Sequence, residues 1–184
     1  MKKISIVIPC YNEQENIENL YATITEVTTK LIDYQWEIFF IDDGSTDQTL
    51  HKIRLLRQRN QNVCYVSLSR NFGKENALLA GFDHVTGDCI IIMDADMQHP
   101  PQLIADMLKE WEAGYDDVYA ERENRKQENW LKRNATALYY RLLQRMAKID
   151  VLPNVGDFRL LDRKCIDSLK KIRETQRYTK GLYC

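Results

Sequence analysis

Three times within the first 84 residues, a short run of β-branched residues leads through a polar loop into an apolar pattern with helical spacing. The strand-like runs cover residues 4–8, 36–41 and 63–68, and an unbroken apolar run covers residues 89–93. This alternation predicts a mostly parallel, Rossmann-like α/β sheet with helices on both faces and right-handed crossovers. We expect Pro9 to stop the first strand. A last strand and helix are expected at residues 156–161 and 163–172.

The length of the chain predicts its number of domains, and its charge is unevenly distributed along the sequence. The 184 residues, 44% of them hydrophobic, suffice for one substantial core and predict a single domain, residues 1–184. Residues 1–121 carry 10 Lys/Arg and 20 Asp/Glu, whereas residues 122–184 carry 16 and 7. The net charge of only −1 argues against a general nucleic-acid binder. An acidic part can hold a metal and a basic part can meet phosphate or an anionic membrane, although solvated charged faces alone would give the same counts.

The compartment follows from what the chain lacks. Its five cysteines show no CxxC spacing, its N-terminus has no signal-peptide pattern, and no run approaches the roughly 20 apolar residues that span a bilayer. We therefore expect a cytoplasmic, reduced protein that is soluble or peripheral. Residues 130–149 predict a basic amphipathic helix, which can pack on the sheet or lie against a membrane surface.

Polar loops follow each predicted strand, and in parallel sheets ligands bind beyond the carboxyl ends of the strands. Asp94 and Asp96 are separated by one residue at such an end, where both can turn toward one hard cation. Oxygen ligands suit Mg²⁺ or Mn²⁺, which also bind substrate phosphates. We expect a metal site at these two aspartates, with Gln98 or His99 as an outer ligand.

Asp42 and Asp43 follow the second strand in the same way. Their residue types suit a turn and helix N-cap, and one of them can instead accept hydrogen bonds from a base or ribose. Cations able to meet a diphosphate are Arg70, Lys74, Arg122 and Arg133. No GxGxxG, P-loop or GxSxG motif is present, which disfavours dehydrogenase, kinase and serine hydrolase chemistry.

Six motifs in order cover nearly the whole chain. They are Val7-Ile8-Pro9-Cys10-Tyr11-Asn12-Glu13, Asp42-Asp43-Gly44-Ser45, Arg70-Asn71-Phe72-Gly73-Lys74, Asp94-Ala95-Asp96-Met97-Gln98, Gly156-Asp157-Phe158-Arg159-Leu160 and Lys180-Gly181-Leu182. This set resembles family 2 glycosyltransferases, and among them it is most similar to the polyprenyl-phosphate (dolichol-phosphate-type) glycosyltransferases.

The resemblance implies a GT-A fold and an inverting, Mg²⁺- or Mn²⁺-dependent transfer from a nucleotide sugar, with a UDP-sugar favoured. It also implies roles for individual residues. Those that would contact the nucleoside are Pro9, Tyr11, Glu13, Asp42 and Asp43. Those that would surround the metal are Asp94, Asp96 and Gln98, and those that would approach diphosphate or acceptor phosphate are Arg122 and Arg133.

On the acceptor side, the resemblance places Asp157 near the acceptor. A sugar-hydroxyl acceptor needs a general base, for which Asp157 is the best candidate, whereas an ionised lipid phosphate needs orientation instead. The same donor chemistry would also serve polysaccharide or cell-wall synthesis, and a noncatalytic module would bind nucleotide without turnover. A nucleotidyltransferase is disfavoured by the absence of a Gly-rich basic N-terminal loop.

The end of the chain bears on the membrane. Relatives in this family often continue into amphipathic and transmembrane helices, so we expect a C-terminal truncation at Cys184, with membrane attachment through the missing region. Residues 1–121 would then form the nucleotide and metal part, and residues 122–184 the acceptor side. The oligomeric state stays open, a homo-oligomer included.

Overall fold

The computed structural model describes residues 1–121 and 155–171, although not the side chains of residues 121, 155 and 156. The strands are β1 (Lys2–Cys10), β2 (Tyr34–Asp42), β3 (Val63–Ser67), β4 (Cys89–Ile92), β5 (Asp117–Glu121) and β6 (Val155–Asp162). The helices are α1 (Ile17–Thr28), α2 (Thr49–Arg59), α3 (Lys74–His84), α4 (Ile104–Glu112), which a 3₁₀ turn at Pro101–Leu103 precedes, and α5 (Arg163–Lys171).

These six strands form one sheet in the order β3-β2-β1-β4-β6-β5. The neighbours β1–β2, β2–β3 and β1–β4 pair in parallel, whereas β6 runs antiparallel to both β4 and β5. The predicted mostly parallel sheet is therefore confirmed. Because β6 runs in the opposite direction, its first residues lie at the carboxyl end of β4.

The first strand does not stop at Pro9, so this prediction was wrong. Pro9 and Cys10 continue β1 and pair with Ile41 and Asp42 of β2. On its other edge, the β1–β4 ladder ends at Val7, whose carbonyl accepts a hydrogen bond from the Met93 N–H. The nitrogen of Pro9 points toward this edge, along which β4 no longer pairs with β1. Its missing N–H therefore costs the sheet no hydrogen bond.

Helices cover both faces of the sheet. Alternate residues of β1 point to opposite sides, with Ile6 on the face covered by α1, α2 and α4, and Val7 on the face covered by α3 and α5. All four residues of β4 are buried, as expected for a strand covered on both faces. The two apolar clusters fix the sheet between two helical layers and thereby fix the loops at its edges.

Several sequence predictions lie outside the described residues. They concern the basic helix at residues 130–149, Arg122, Arg133 and the Lys180-Gly181-Leu182 motif. Within residues 1–121 and 155–171, no helix is long and apolar enough to cross a bilayer.

Candidate active site

A cavity of about 310 Å³ opens beyond the carboxyl ends of β1, β2 and β4. Predicted site residues make up most of its lining. These are Pro9, Tyr11, Glu13, Asp43, Lys74, Asp94 and Asp96. The lining also includes Cys10, Asn71, Gly73 and Ala95. Predicted residues that are described but absent from it are Asp42, Arg70, Gln98, His99 and Asp157.

Asp43 fastens the loop that leads from β3 into α3. Its Oδ1 accepts a hydrogen bond from the Phe72 N–H at 2.8 Å, and its Oδ2 accepts one from the Gly73 N–H at 2.9 Å. The side chain is buried, with 3% of its surface exposed. Charge-assisted bonds to a buried carboxylate are stronger than neutral ones. Asp43 thus shapes the cavity wall as well as lining it.

Asp42 stabilises the turn after β2. Its Oδ1 accepts from the Ser45 N–H at 3.1 Å, and its Oδ2 accepts from the Ser67 hydroxyl at 2.8 Å. The predicted turn role is confirmed, but the N-cap role is wrong because α2 begins only at Thr49. Asp47 accepts from the Thr49 N–H instead.

The loops after β1 and β2 are bound to each other. The Asn12 N–H donates to the Ser45 hydroxyl at 3.0 Å, and the Thr46 N–H donates back to the Asn12 Oδ1 at 2.9 Å. Asn12 adopts a φ of 56°, a left-handed conformation that asparagine tolerates better than most residues. The Glu13 N–H donates to the Thr49 hydroxyl at 2.8 Å. These bonds hold Tyr11 and Glu13 at the cavity.

Lys74 lies between two carboxylates from different strands. Its Nζ forms an ion pair with Asp94 Oδ1 and another with Asp157 Oδ2, the second at 2.6 Å. Burial disfavours the charged ammonium, but the bonds to Asp157 and Asp94 outweigh it and raise the pKa of Lys74 above its ordinary value. The group therefore stays a cation at neutral pH.

The loop after β4 turns sharply beside the cavity. Met97 has a φ of 62°, unusual for a non-glycine residue, and the Gln98 N–H donates to Asp96 Oδ1 at 3.0 Å. His99 Nδ1 accepts from the Asp94 N–H at 3.3 Å, and its ring stacks on Phe158 with centroids 5.2 Å apart. His99 thus supports the loop that carries Asp94, and its role as an outer ligand stays a prediction.

The carboxylates at the cavity suit a divalent cation. In residues 1–121 and 155–171, no three His, Cys, Asp or Glu side chains group as a preformed metal site. Asp94 and Asp96 nevertheless both line the cavity and offer carboxylate oxygens. Mg²⁺ and Mn²⁺ are commonly held by one or two carboxylates plus water and substrate phosphate. The residues fit such an ion, with Asp94 at present engaged by Lys74.

Arg70 is the other predicted cation among the described residues. The Arg70 guanidinium lies 4.1 Å from the centre of the Phe72 ring, a cation–π contact at the rim of the site.

Burial, with a smaller contribution from the Glu13 charge, raises the pKa of the Cys10 thiol well above its usual range. Cys10 is therefore a neutral part of the cavity wall.

Sequence reasoning missed two contributions to the site. It assigned no role to Asn71, which lines the cavity and lies between the two predicted cations of its motif, Arg70 and Lys74. It also missed the stacking of His99 on Phe158, for which the only available signal was that each residue adjoins a predicted site residue.

The glycosyl transferase family 2 model matches residues 5–170 of this chain. The chain belongs to glycosyl transferase family 2. One relative, the uncharacterized glycosyltransferase sll0501 of Synechocystis, is 45% identical to this family 2 chain. The match covers 98% of this chain and 57% of the relative. The bactoprenol glucosyl transferase of Shigella phage SfX is 41% identical over 98% of this chain and 59% of that relative. The chain thus spans little more than half the length of these relatives.

Solved structures confirm the GT-A fold of this family 2 protein. The mannosyltransferase PcManGT from Pyrobaculum calidifontis, in complex with GDP-Man and Mn²⁺, matches with a TM-score of 0.64 at 18% identity, over 99% of this chain and 50% of that one. Glucosyl-3-phosphoglycerate synthase from Mycobacterium tuberculosis, in complex with UDP, matches with a TM-score of 0.63 at 23% identity. This match covers 89% of the present chain and 58% of the synthase.

Proposed function

We propose that this protein transfers a sugar, with inversion, from a nucleotide sugar to a polyprenyl phosphate at the cytoplasmic face of the membrane, with a UDP-sugar as the favoured donor. The observation that supports this most is that Asp94, Asp96 and Lys74 line one cavity at the carboxyl ends of the strands, with Asp157 bonded to Lys74. Relatives named bactoprenol glucosyl transferase, 40–41% identical, support the lipid acceptor.

The donor end is the part lined by Tyr11, Glu13 and Asp43. An aromatic ring and carboxylates beside backbone of fixed geometry suit a nucleoside, which offers a flat base and hydroxyl donors. Asp94 and Asp96 would hold Mg²⁺ or Mn²⁺ next to the diphosphate. When bound, such an ion stabilises the negative charge that develops on the departing nucleoside diphosphate.

In the transfer, an acceptor phosphate oxygen forms a bond to the anomeric carbon while the bond from that carbon to the diphosphate oxygen breaks. The bonding pair leaves with the nucleoside diphosphate, and attack from the opposite face inverts the anomeric centre. A phosphate monoester, with a second pKa near 6, is already largely ionised at neutral pH. No proton then has to be removed from the acceptor.

The surroundings of Asp157 fit this acceptor better than a hydroxyl. A general base must turn an oxygen toward the acceptor proton, whereas Asp157 Oδ2 is turned toward the Lys74 ammonium at 2.6 Å. We infer that Asp157 orients the acceptor. Asp157→Asn should accordingly retain substantial transfer to a lipid phosphate, whereas loss of a base would remove nearly all of it.

The test uses the full-length protein with Mn²⁺ or Mg²⁺, a panel of UDP- and GDP-sugars, and polyprenyl phosphate, with products identified by mass. We expect a glycolipid and release of nucleoside diphosphate, both abolished by EDTA and restored by added metal. Asp96→Asn should lower kcat by at least about 100-fold, since metal stabilisation of the leaving group is worth several kcal/mol. Asp106→Asn, on the surface of α4, is the matched control. Failure to form glycolipid from every donor would exclude this function.

A further inference from the structure

Lys74 occupies a position that helix stability does not favour. It is the first residue of α3, where the positive end of the helix dipole makes a cation unfavourable. Its backbone position is nevertheless fixed, because the preceding Gly73 donates its N–H to the buried Asp43 carboxylate. The ammonium reaches away from the helix to Asp94 and Asp157. The placement of this lysine thus serves the site rather than the helix.

The two carboxylates that Lys74 contacts belong to different sides of the reaction centre. Asp94 follows β4 beside the donor part of the cavity, and Asp157 lies near the start of the antiparallel strand β6. Lys74 and Asp157 are 83 positions apart in the chain. Both aspartates are partly buried, with 23% and 31% of their side chains exposed. Without a cation between them, they would repel each other and any anionic acceptor.

A second contact joins the same two strands. The His99 ring stacks on Phe158, the neighbour of Asp157, while His99 Nδ1 accepts a hydrogen bond from the Asp94 N–H. The stretches of backbone that carry Asp94 and Asp157 are therefore already held together by this packing. What the ammonium adds is charge neutralisation and the orientation of the Asp157 carboxylate.

We propose that Lys74 is a positioning residue for the acceptor: its ammonium fixes Asp157 against Asp94 and screens an incoming lipid phosphate from both carboxylates. This inference rests on the proposed function, because it assigns the acceptor as an anion. It differs from the expectation that Lys74 binds the donor diphosphate, since here Lys74 acts through Asp157.

A double-mutant cycle separates the two roles. Lys74→Met, Asp157→Asn and the double variant are compared in kcat/KM for polyprenyl phosphate at saturating nucleotide sugar and Mn²⁺. We expect Lys74→Met to lower this value by about 30-fold through a higher acceptor KM, and the double variant to fall no more than about 3-fold below the worse single variant. Lys74→Gln is made in parallel, so that the cycle uses whichever variant keeps the wild-type Tm.

Two binding measurements complete the test. The Kd of UDP with Mn²⁺ should change less than about 3-fold in Lys74→Met, because the acceptor side is the part affected. The Kd of polyprenyl phosphate in lipid nanodiscs is measured for all four proteins and needs no turnover. Lys52→Met, which removes an ion pair with Glu18 on the surface of α2, is the control and should change neither Kd.

The outcomes are distinct. Multiplicative effects of the two single variants, in turnover or in lipid binding, would overturn the role of Lys74. So would a rise of about 10-fold or more in the Kd of UDP with unchanged acceptor binding, which is the signature of a diphosphate contact. An inactive wild-type protein would instead overturn the proposed function, and the lipid-binding cycle would still decide the role of Lys74.

Discussion

Replacing Asp43 by asparagine should destabilise the protein and loosen the nucleotide part of the site. Both carboxylate oxygens accept backbone hydrogen bonds, from the Phe72 N–H at 2.8 Å and the Gly73 N–H at 2.9 Å, and the side chain is 3% exposed. An asparagine keeps one acceptor oxygen but turns an NH₂ donor toward the other N–H. One charge-assisted bond is lost and the second is weakened, although the Gly73 N–H keeps its hydrogen bond to Asn71 Oδ1 at 3.0 Å.

The size of the effect follows from these contacts. Hydrogen bonds to charged groups contribute about 1.5–3 kcal/mol each and neutral ones about 1 kcal/mol, so the exchange should lower the free energy of unfolding by about 3 kcal/mol. For a chain of this length, that corresponds to a fall in Tm of roughly 6–12 °C. Because Asp43 and the released residues Asn71 and Gly73 line the cavity, the affinity for UDP should fall as well.

Urea unfolding followed by tryptophan fluorescence measures the change, with an unchanged m-value as the sign that the same surface is exposed on unfolding. Asp106→Asn is the matched control, since Asp106 is an exposed residue that forms an ion pair with Lys109, one turn further along α4. It should leave the unfolding curve unchanged. A free energy of unfolding for Asp43→Asn within about 0.5 kcal/mol of wild type would refute the reasoning, since it would mean that these two bonds contribute nothing net.

Two further substitutions test stability elsewhere. Gly44 has a φ of 69°, and an added Cβ would lie 2.4 Å from the Arg70 carbonyl carbon, whereas Gly114, with a φ of 106°, has open space. Gly44→Ala should therefore cost more than Gly114→Ala, by about 1–3 kcal/mol for the clash, and equal Tm values would contradict this. Burial opposes ionisation of Glu37, but hydrogen bonds from Ser5, Lys3 and Thr86 lower its pKa below 4.5. A lowered pKa in the folded state stabilises the protein above pH 4.5, and this stabilisation disappears as the pH falls through the lowered value. Glu37→Gln should thus destabilise the protein at pH 7, by a margin that shrinks in acid; a margin independent of pH in urea titrations would count against the assignment.

Local pattern was sufficient for much of the fold. The β-branched runs and the helical spacing depend on which residues one face of an element must bury, and this is written along the chain. Strand direction in a parallel sheet then places every loop after a strand at one edge. For this reason Tyr11, Asp43 and Asp94 were expected together, and they line one cavity.

Pro9 shows where local pattern misleads. Its effect depends on which neighbour its missing N–H would have faced, and only the sheet order reveals that β4 has already ended there. A proline is costly in a strand only where a ladder bond is lost. The sequence gives no sign of which edge that is.

By itself, the sequence determined the α/β class, the edge at which the site lies and the pair Asp94 and Asp96, because these follow from periodicity and from the chemistry of neighbouring residues. Only the tertiary structure decided that β6 runs antiparallel and brings Asp157 to Lys74 across 83 positions of chain. The same is true of Asp43, whose carboxylate supports a loop that begins far along the chain. Such contacts depend on how separate elements pack, and charge pairing at a distance leaves no period in the sequence.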